Sequence, residues 1–159
     1  MAEAVRLRLA RPGDAAAILT LIQLAFAQYE GKLVPQSGAA RETVETVTAR
    51  LAKEVCVLAV RAERLVGCLF YEHLVDHLYF GRLAVLPEDR GCGVARRLVS
   101  EVEAVALAAG IATVALNVRI ALPGNAALFA ALGYREVSRQ AHPGFAVPTS
   151  IRMEKRLAL

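Results

Sequence analysis

Hydrophobic and polar positions along this chain alternate with two different periods, and the switches between them mark the elements. Val5-Arg6-Leu7-Arg8-Leu9 has the period of two that a strand with one buried face requires. From Asp14 the period lengthens. Ile18, Leu21, Ile22 and Ala25 fall on one stripe of a helix that Arg11-Pro12-Gly13-Asp14 introduces and that runs to about Gln28. Residues 31–40, with Pro35 and Gly38, read as a loop, and residues 41–53 as a second helix. Two apolar runs, 55–60 and 65–71, flank Ala62-Glu63-Arg64 and predict a hairpin. Residues 78–86 form a fourth strand, and a polar loop with glycines leads into a long helix over 93–109, which Gly110 is placed to cap. Residues 112–118 predict a fifth strand and 125–132 a short helix ending at Gly133. Val137 and Ile151-Arg152-Met153 mark two last strands.

The loop between the fourth strand and the long helix carries the most specific chemistry. A strand, a glycine-containing turn and a helix N-terminus in succession aim backbone N–H groups at one spot, where the helix dipole adds partial positive charge. A phosphate fits there. A Walker loop needs a Lys after the last glycine, and none follows Gly93; a dinucleotide fingerprint needs a third small residue that Gly91-Cys92-Gly93-Val94-Ala95-Arg96 lacks. The spacing is Arg90-x-x-Gly93-x-Ala95, preceded by Leu83-Ala84-Val85-Leu86-Pro87. It closely resembles the coenzyme A pyrophosphate loop of the GNAT acetyltransferase superfamily.

The element order β-α-α-β-β-β-α-β-α-β-β resembles that family over nearly the whole chain. The resemblance implies an α/β (α+β) fold, with a mixed seven-stranded sheet flanked by helices and parallel fourth and fifth strands that splay apart. It implies that backbone groups of Leu83, Ala84 and Val85 bind the pantetheine arm of acetyl-CoA. The loop Arg90, Gly91, Cys92, Gly93, Val94, Ala95 and Arg96 would hold the pyrophosphate, with Arg97 nearby. Asn125-Ala126-Ala127-Leu128-Phe129 and Gly133-Tyr134 resemble a second family motif with shortened spacing. Asn125 is expected as an N-cap and as a contact to the coenzyme arm, and Asn117 as a polar residue of the fifth strand facing the splay.

One departure matters. Many relatives have tyrosine where this chain has Phe129, and that hydroxyl protonates the departing thiolate. Phenylalanine keeps the packing and deletes the proton, which leaves water or Tyr134 as substitutes. Loss of acid–base help costs roughly 10²- to 10⁴-fold in rate. The base is not obvious either: Tyr79 holds the position relatives give to Glu or His, with His77 two residues earlier. Tyr29 and Glu30 lie where the family builds its acceptor pocket, and His142, in a loop over the same region, is a third acceptor candidate. Glu72, His73 and Asp76 read as solvated, and Cys92 sits in the phosphate loop, away from the thioester.

Composition narrows the class. With 159 residues, 56% of them hydrophobic, and no low-complexity tract, the chain is expected to be a single domain over 1–159. No apolar run has membrane-spanning length, and the N-terminal alternation reads as a strand rather than a signal peptide. Three cysteines without metal spacing suggest no metal and a reducing cytoplasm. The net charge of +4 is spread out and aromatics are only 6%, which argues against a nucleic-acid face. The expectation is therefore an acetyl-CoA-dependent N-acetyltransferase that acetylates a primary amine of a small molecule by direct transfer, with no nucleic-acid or membrane partner. A protein or peptide acceptor, or a non-catalytic acyl-CoA sensor, stays open. Homodimers are common in the family, so a homodimer also stays open.

Overall fold

The alternation at the start of the chain becomes strand β1 (Arg6–Leu9) in the computed structural model, which describes residues 3–159. A 3-10 turn at Pro12–Asp14 leads into helix α1 (Ala15–Phe26). Asp14 fixes this entry. Its carboxylate accepts from the Arg11 backbone N–H at 2.7 Å and from both Arg8 Nη atoms at 2.9 Å. The Arg8 guanidinium, followed by that backbone donor, holds the Asp14 pKa at about 2. Ile18, Leu21, Ile22 and Ala25 form the buried stripe that the period predicts.

Helix α2 (Val44–Lys53) begins three residues later than the pattern suggests. Thr43 and Thr46 bond each other's backbone N–H groups, at 2.8 and 3.2 Å, in a reciprocal cap that stops the helix from extending backwards. Residues Gly38–Arg41 form a separate 3-10 turn. Strands β2 (Val55–Arg61) and β3 (Arg64–His73) form the expected hairpin. Ala62 and Glu63 both take left-handed φ values, 52° and 65°, matching the twist a two-residue hairpin needs.

Strand β4 (Leu78–Val85) precedes helix α3 (Val94–Ala108), which buries Val94, Leu98, Val102 and Ala106 at a spacing of four. Gly110, at φ 72°, ends α3 as expected, and the Ile111 N–H reaches the Ala106 carbonyl at 2.8 Å. Strand β5 (Thr113–Arg119), helix α4 (Pro123–Ala131) and strands β6 (Arg135–Gln140) and β7 (Ser150–Arg156) complete the order. Helix α4 starts two residues before Asn125. Pro123 takes the first helical position, where its missing N–H costs nothing, and Leu122 is the cap.

The strands form one mixed seven-stranded sheet in the order β1-β2-β3-β4-β5-β7-β6, with β4 and β5 parallel. Two compact units divide the chain: residues 1–72 with 82–102, and residues 73–81 with 103–159. In the first, Ile18, Ile22, Val47, Leu58, Val66 and Leu98 make the core. Gly67 lets β3, β4 and α3 close up, since a Cβ there would lie 3.0 Å from Val94 Cγ1 and 3.2 Å from the Ala84 carbonyl. In the second, Leu78, Phe80, Val114, Phe129, Tyr134 and Met153 are buried together.

The Asp14 pair makes a pH prediction. Its folded pKa is depressed, so its stabilisation is present above the unfolded value near 4 and is lost as pH falls toward 2. Both side chains are partly exposed, so Asp14→Asn is expected to cost about 1 kcal/mol at pH 7, by urea denaturation. The gap between variant and wild type should close between pH 4 and 2. A gap that stays constant over that range would show that the pair does not set the stability.

Candidate functional site

Three features of the first unit converge on one region: a bulged strand, a glycine loop and a small cavity. In β4, Arg82 takes φ 51° without being glycine. A left-handed residue costs roughly 1–2 kcal/mol and re-aims the peptide groups around it, as a β-bulge does. The surroundings hold it. Its guanidinium lies 3.8 Å from the buried carboxylate of Glu42, which also faces Arg50 Nε at 3.5 Å, and its carbonyl is 3.6 Å from Cys68 Sγ. Gly38 leaves room for that guanidinium, because a Cβ there would sit 2.6 Å from Arg82 Nη2. The parallel ladder to β5 covers only Leu78↔Val114 and Tyr79↔Ala115.

After β4 the chain makes a 3-10 turn at Pro87–Asp89, and Gly91 and Gly93 follow at φ 77° and 83°. The buried Asp89 anchors the turn through Arg61 and through Arg64 at 3.2 Å. A Cβ built at either glycine meets nothing within 4 Å. The glycines thus answer to the left-handed backbone, and the space above them is open to a ligand approaching the first N–H groups of α3.

The third feature is a cavity of about 220 Å³ at the end of α1. Phe26, Tyr29 and Glu30 form one side, and Gln36, Ser37 and Ala39 the other. The Phe26 and Tyr29 rings meet edge to face at 5.8 Å. Arg90 joins this wall to the loop. Its Nη2 donates to the Ala25 carbonyl at 2.8 Å and its Nε to the Val85 carbonyl at 3.2 Å.

A family model for the acetyltransferase (GNAT) family matches residues 18–134. The chain belongs to the GNAT acetyltransferase family. Solved structures agree in fold. The PaiA N-acetyltransferase from Thermoplasma acidophilum, in complex with coenzyme A, is 16% identical with a TM-score of 0.78 and covers 96% of this chain and 99% of its own. The ribosomal-protein-S18-alanine N-acetyltransferase from Escherichia coli is 17% identical, with a TM-score of 0.80 and coverage of 98% and 96%. The ribosomal-protein-alanine N-acetyltransferase from Brucella melitensis is 17% identical, with a TM-score of 0.75 and coverage of 96% and 99%. No curated protein matches the sequence.

Within this GNAT domain, several side chains expected to do chemistry are already committed. The loop arginines divide. Arg90 is spent on two carbonyls and Arg97 donates to the Val5 carbonyl, which leaves Arg96 exposed with no ion pair among the described residues. Arg90 is therefore a strut that positions the loop. Cys92 is exposed, and its thiol points back to the Arg90 carbonyl at 3.7 Å.

The second unit revises the acid and base candidates. Tyr134 is buried, and its hydroxyl donates to Glu103 Oε2 at 2.8 Å. Lys155 holds the same carboxylate at 3.1 Å and the Leu132 carbonyl at 2.9 Å. Burial, then the Glu103 bond, pushes the Tyr134 pKa far up, and the hydroxyl is engaged with Glu103. Phe129 packs beside it in a triangle with Phe80, at ring distances of 5.9 to 6.2 Å.

His77 is held at both nitrogens. Arg152 Nη2, which can only donate, lies 3.1 Å from Nε2, so Nε2 accepts and Nδ1 carries the proton toward Asp76 at 2.7 Å. His142 is likewise pinned by Thr149 Oγ1, which accepts its backbone N–H at 3.0 Å and meets its Nδ1, and burial lowers its pKa. Tyr79 is half-buried on β4. Asn125 sits in the first turn of α4 and caps nothing; its backbone N–H bonds the Leu122 carbonyl at 3.0 Å, which corrects the expected cap. Asn117 is exposed on β5, opposite Arg152 in register.

Sequence reasoning passed over Arg82, Glu103, Arg152 and Lys155. Each acts through a partner distant in the chain. Only Gly38, an unexplained glycine in a loop, signalled that something large presses on residues 37–39.

The loop makes a prediction. Gly93→Asp should fold and lose at least tenfold in coenzyme A affinity by calorimetry, because a carboxylate would stand where a polyphosphate must approach. Gly93→Asn bears the same backbone cost at φ 83° without the charge, and should lose clearly less. Equal affinity in wild type and the Asp variant would remove the loop from the coenzyme site.

Proposed function

We propose that this chain transfers the acetyl group of acetyl-CoA to a primary amine of a small molecule, by direct attack and without a covalent enzyme intermediate. Acetyl-CoA supplies an activated thioester. The N–H groups of Gly91, Gly93, Val94 and Ala95, with the exposed Arg96, take the pyrophosphate, and the β4 backbone at Leu83–Val85 takes the pantetheine arm. The Val85 N–H faces the negative charge that develops on the thioester oxygen. The Val85 carbonyl serves Arg90 instead.

The observation that carries the small-molecule reading is the cavity. At about 220 Å³ it lies below the roughly 300–1,000 Å³ of sites for drug-sized ligands, and a short amine fills it. Tyr29 and Glu30, two of the three acceptor candidates read from the sequence, line it; His142 does not. The presence of ribosomal-protein-alanine N-acetyltransferases among structures of similar fold keeps a protein acceptor as the rival within enzymes. Phe129 in the tyrosine position, and His77 held between Arg152 and Asp76, favour a second reading, a domain that binds acyl-CoA without turnover.

With His77 held between Arg152 and Asp76, water as the proton acceptor gives the transferase a signature. The amine must lose its proton to water before attack, so the rate follows the acceptor's own ionisation. With alkylamines of pKa near 10, thiol release should rise about tenfold per pH unit from pH 6 to 9, with no inflection near 6.5. The test is acetyl-CoA with a panel of small amines and peptides, read as thiol release. A plateau above pH 7 would return a histidine to the mechanism, and tight binding with no release across the panel would support the sensor.

A further inference from the structure

We propose that the α1 cavity selects an acceptor carrying a second, cationic ammonium group, and that Glu30 is the residue that selects it. The proposal rests on reading this cavity as the acceptor site, and adds the charge of the molecule it takes.

Among the residues lining the cavity, Glu30 alone is charged. Its carboxylate makes no hydrogen bond or ion pair among the described residues, in a chain with net charge +4. The other acids of this unit with short-range cationic partners behave differently. Asp14 is held by Arg8, Glu42 by Arg50 and Arg82, Glu54 by Arg50, Glu88 by Arg64, and Asp89 by Arg61 and Arg64. No basic residue lines the cavity to neutralise Glu30.

The remaining lining suits a cation as well. The Phe26–Tyr29 pair offers aromatic surface, which attracts an ammonium through the ring quadrupole. Gln23, Gln36 and Ser37 add oxygens that accept from it. Ser37 already holds the Ala39 N–H at 3.2 Å, which fixes this wall. An anionic acceptor would meet only a like charge. At neutral pH the second ammonium of a diamine stays charged, while the small neutral fraction of its other amine attacks.

Three four-carbon amines of nearly equal size test the charge: 1,4-diaminobutane, 4-amino-1-butanol and 4-aminobutyrate. Each is titrated into the coenzyme A-bound protein by calorimetry at low salt, and each is assayed for thiol release with acetyl-CoA. We expect the diamine to bind at least tenfold tighter than the amino alcohol, and the amino acid to bind weakest. Glu30→Gln should bring all three within about threefold of one another, and Glu30→Asp should keep part of the preference. The thermal midpoint of each variant confirms folding. Equal binding of the three amines to wild type, or a diamine preference that survives Glu30→Gln, overturns the proposal and returns Glu30 to the solvated surface. Charge-selective binding without thiol release would uphold the proposal and sink the transferase reading. Thiol release at equal kcat/KM from all three amines would do the reverse.

Discussion

A single left-handed residue inside β4 governs the first unit. Strands reject φ values near 50°, and arginine has no steric licence for one. Arg82 stays there because its guanidinium faces the buried Glu42 and because Gly38 vacates the volume it needs. The cost is shared by the ion cluster of Glu42, Arg50 and Glu54 behind it, where burial also raises the Glu54 pKa. Past Arg82, the backbone of Leu83 to Val85 leads into the turn at Pro87–Asp89. The turn at residues 38–41 that accommodates Arg82 is also a wall of the α1 cavity. Strand and cavity are thus fixed by one set of contacts.

Arg90 ties the next layer together. One guanidinium spans the end of β4 and the last turn of α1, so the phosphate loop is registered against the cavity wall by two hydrogen bonds. A cation at the carbonyl end of a helix is also favourable electrostatically. The glycines that follow are free of protein contacts on their open side, and Asp89 holds the turn before them from the other. Rigidity thus sits behind the loop and open space in front, the arrangement a preorganised anion cradle needs.

The fold was legible because its elements obey local rules. The period-two run at residues 5–9, the α1 stripe, the hairpin and the glycine at position 110 all stand where the pattern put them. Boundaries slipped where a cap was not recognised: Thr43–Thr46 delays α2, and Pro123 advances α4 past the supposed cap at Asn125. The glycine turn of the loop was readable from spacing, whereas Tyr29 and Glu30 came from the family resemblance alone. Side-chain commitments were not, because they depend on partners far away in sequence. Nothing local to His77 announces Arg152, and nothing local to Tyr134 announces Glu103 and Lys155. An arginine in a phosphate motif reads as a phosphate ligand until the carbonyls it already serves are seen.

Central to the proposed function is that backbone N–H groups of the 91–95 loop, with Arg96 beside them, hold the coenzyme's pyrophosphate. Amide hydrogen exchange resolved by residue tests it most directly, comparing the free protein with coenzyme A and with pantetheine, which lacks the pyrophosphate. Coenzyme A should protect the amides of Gly91, Gly93, Val94 and Ala95, and pantetheine should not, while both protect amides within residues 83–85. Unchanged exchange across 91–95 at saturating coenzyme A would contradict the account.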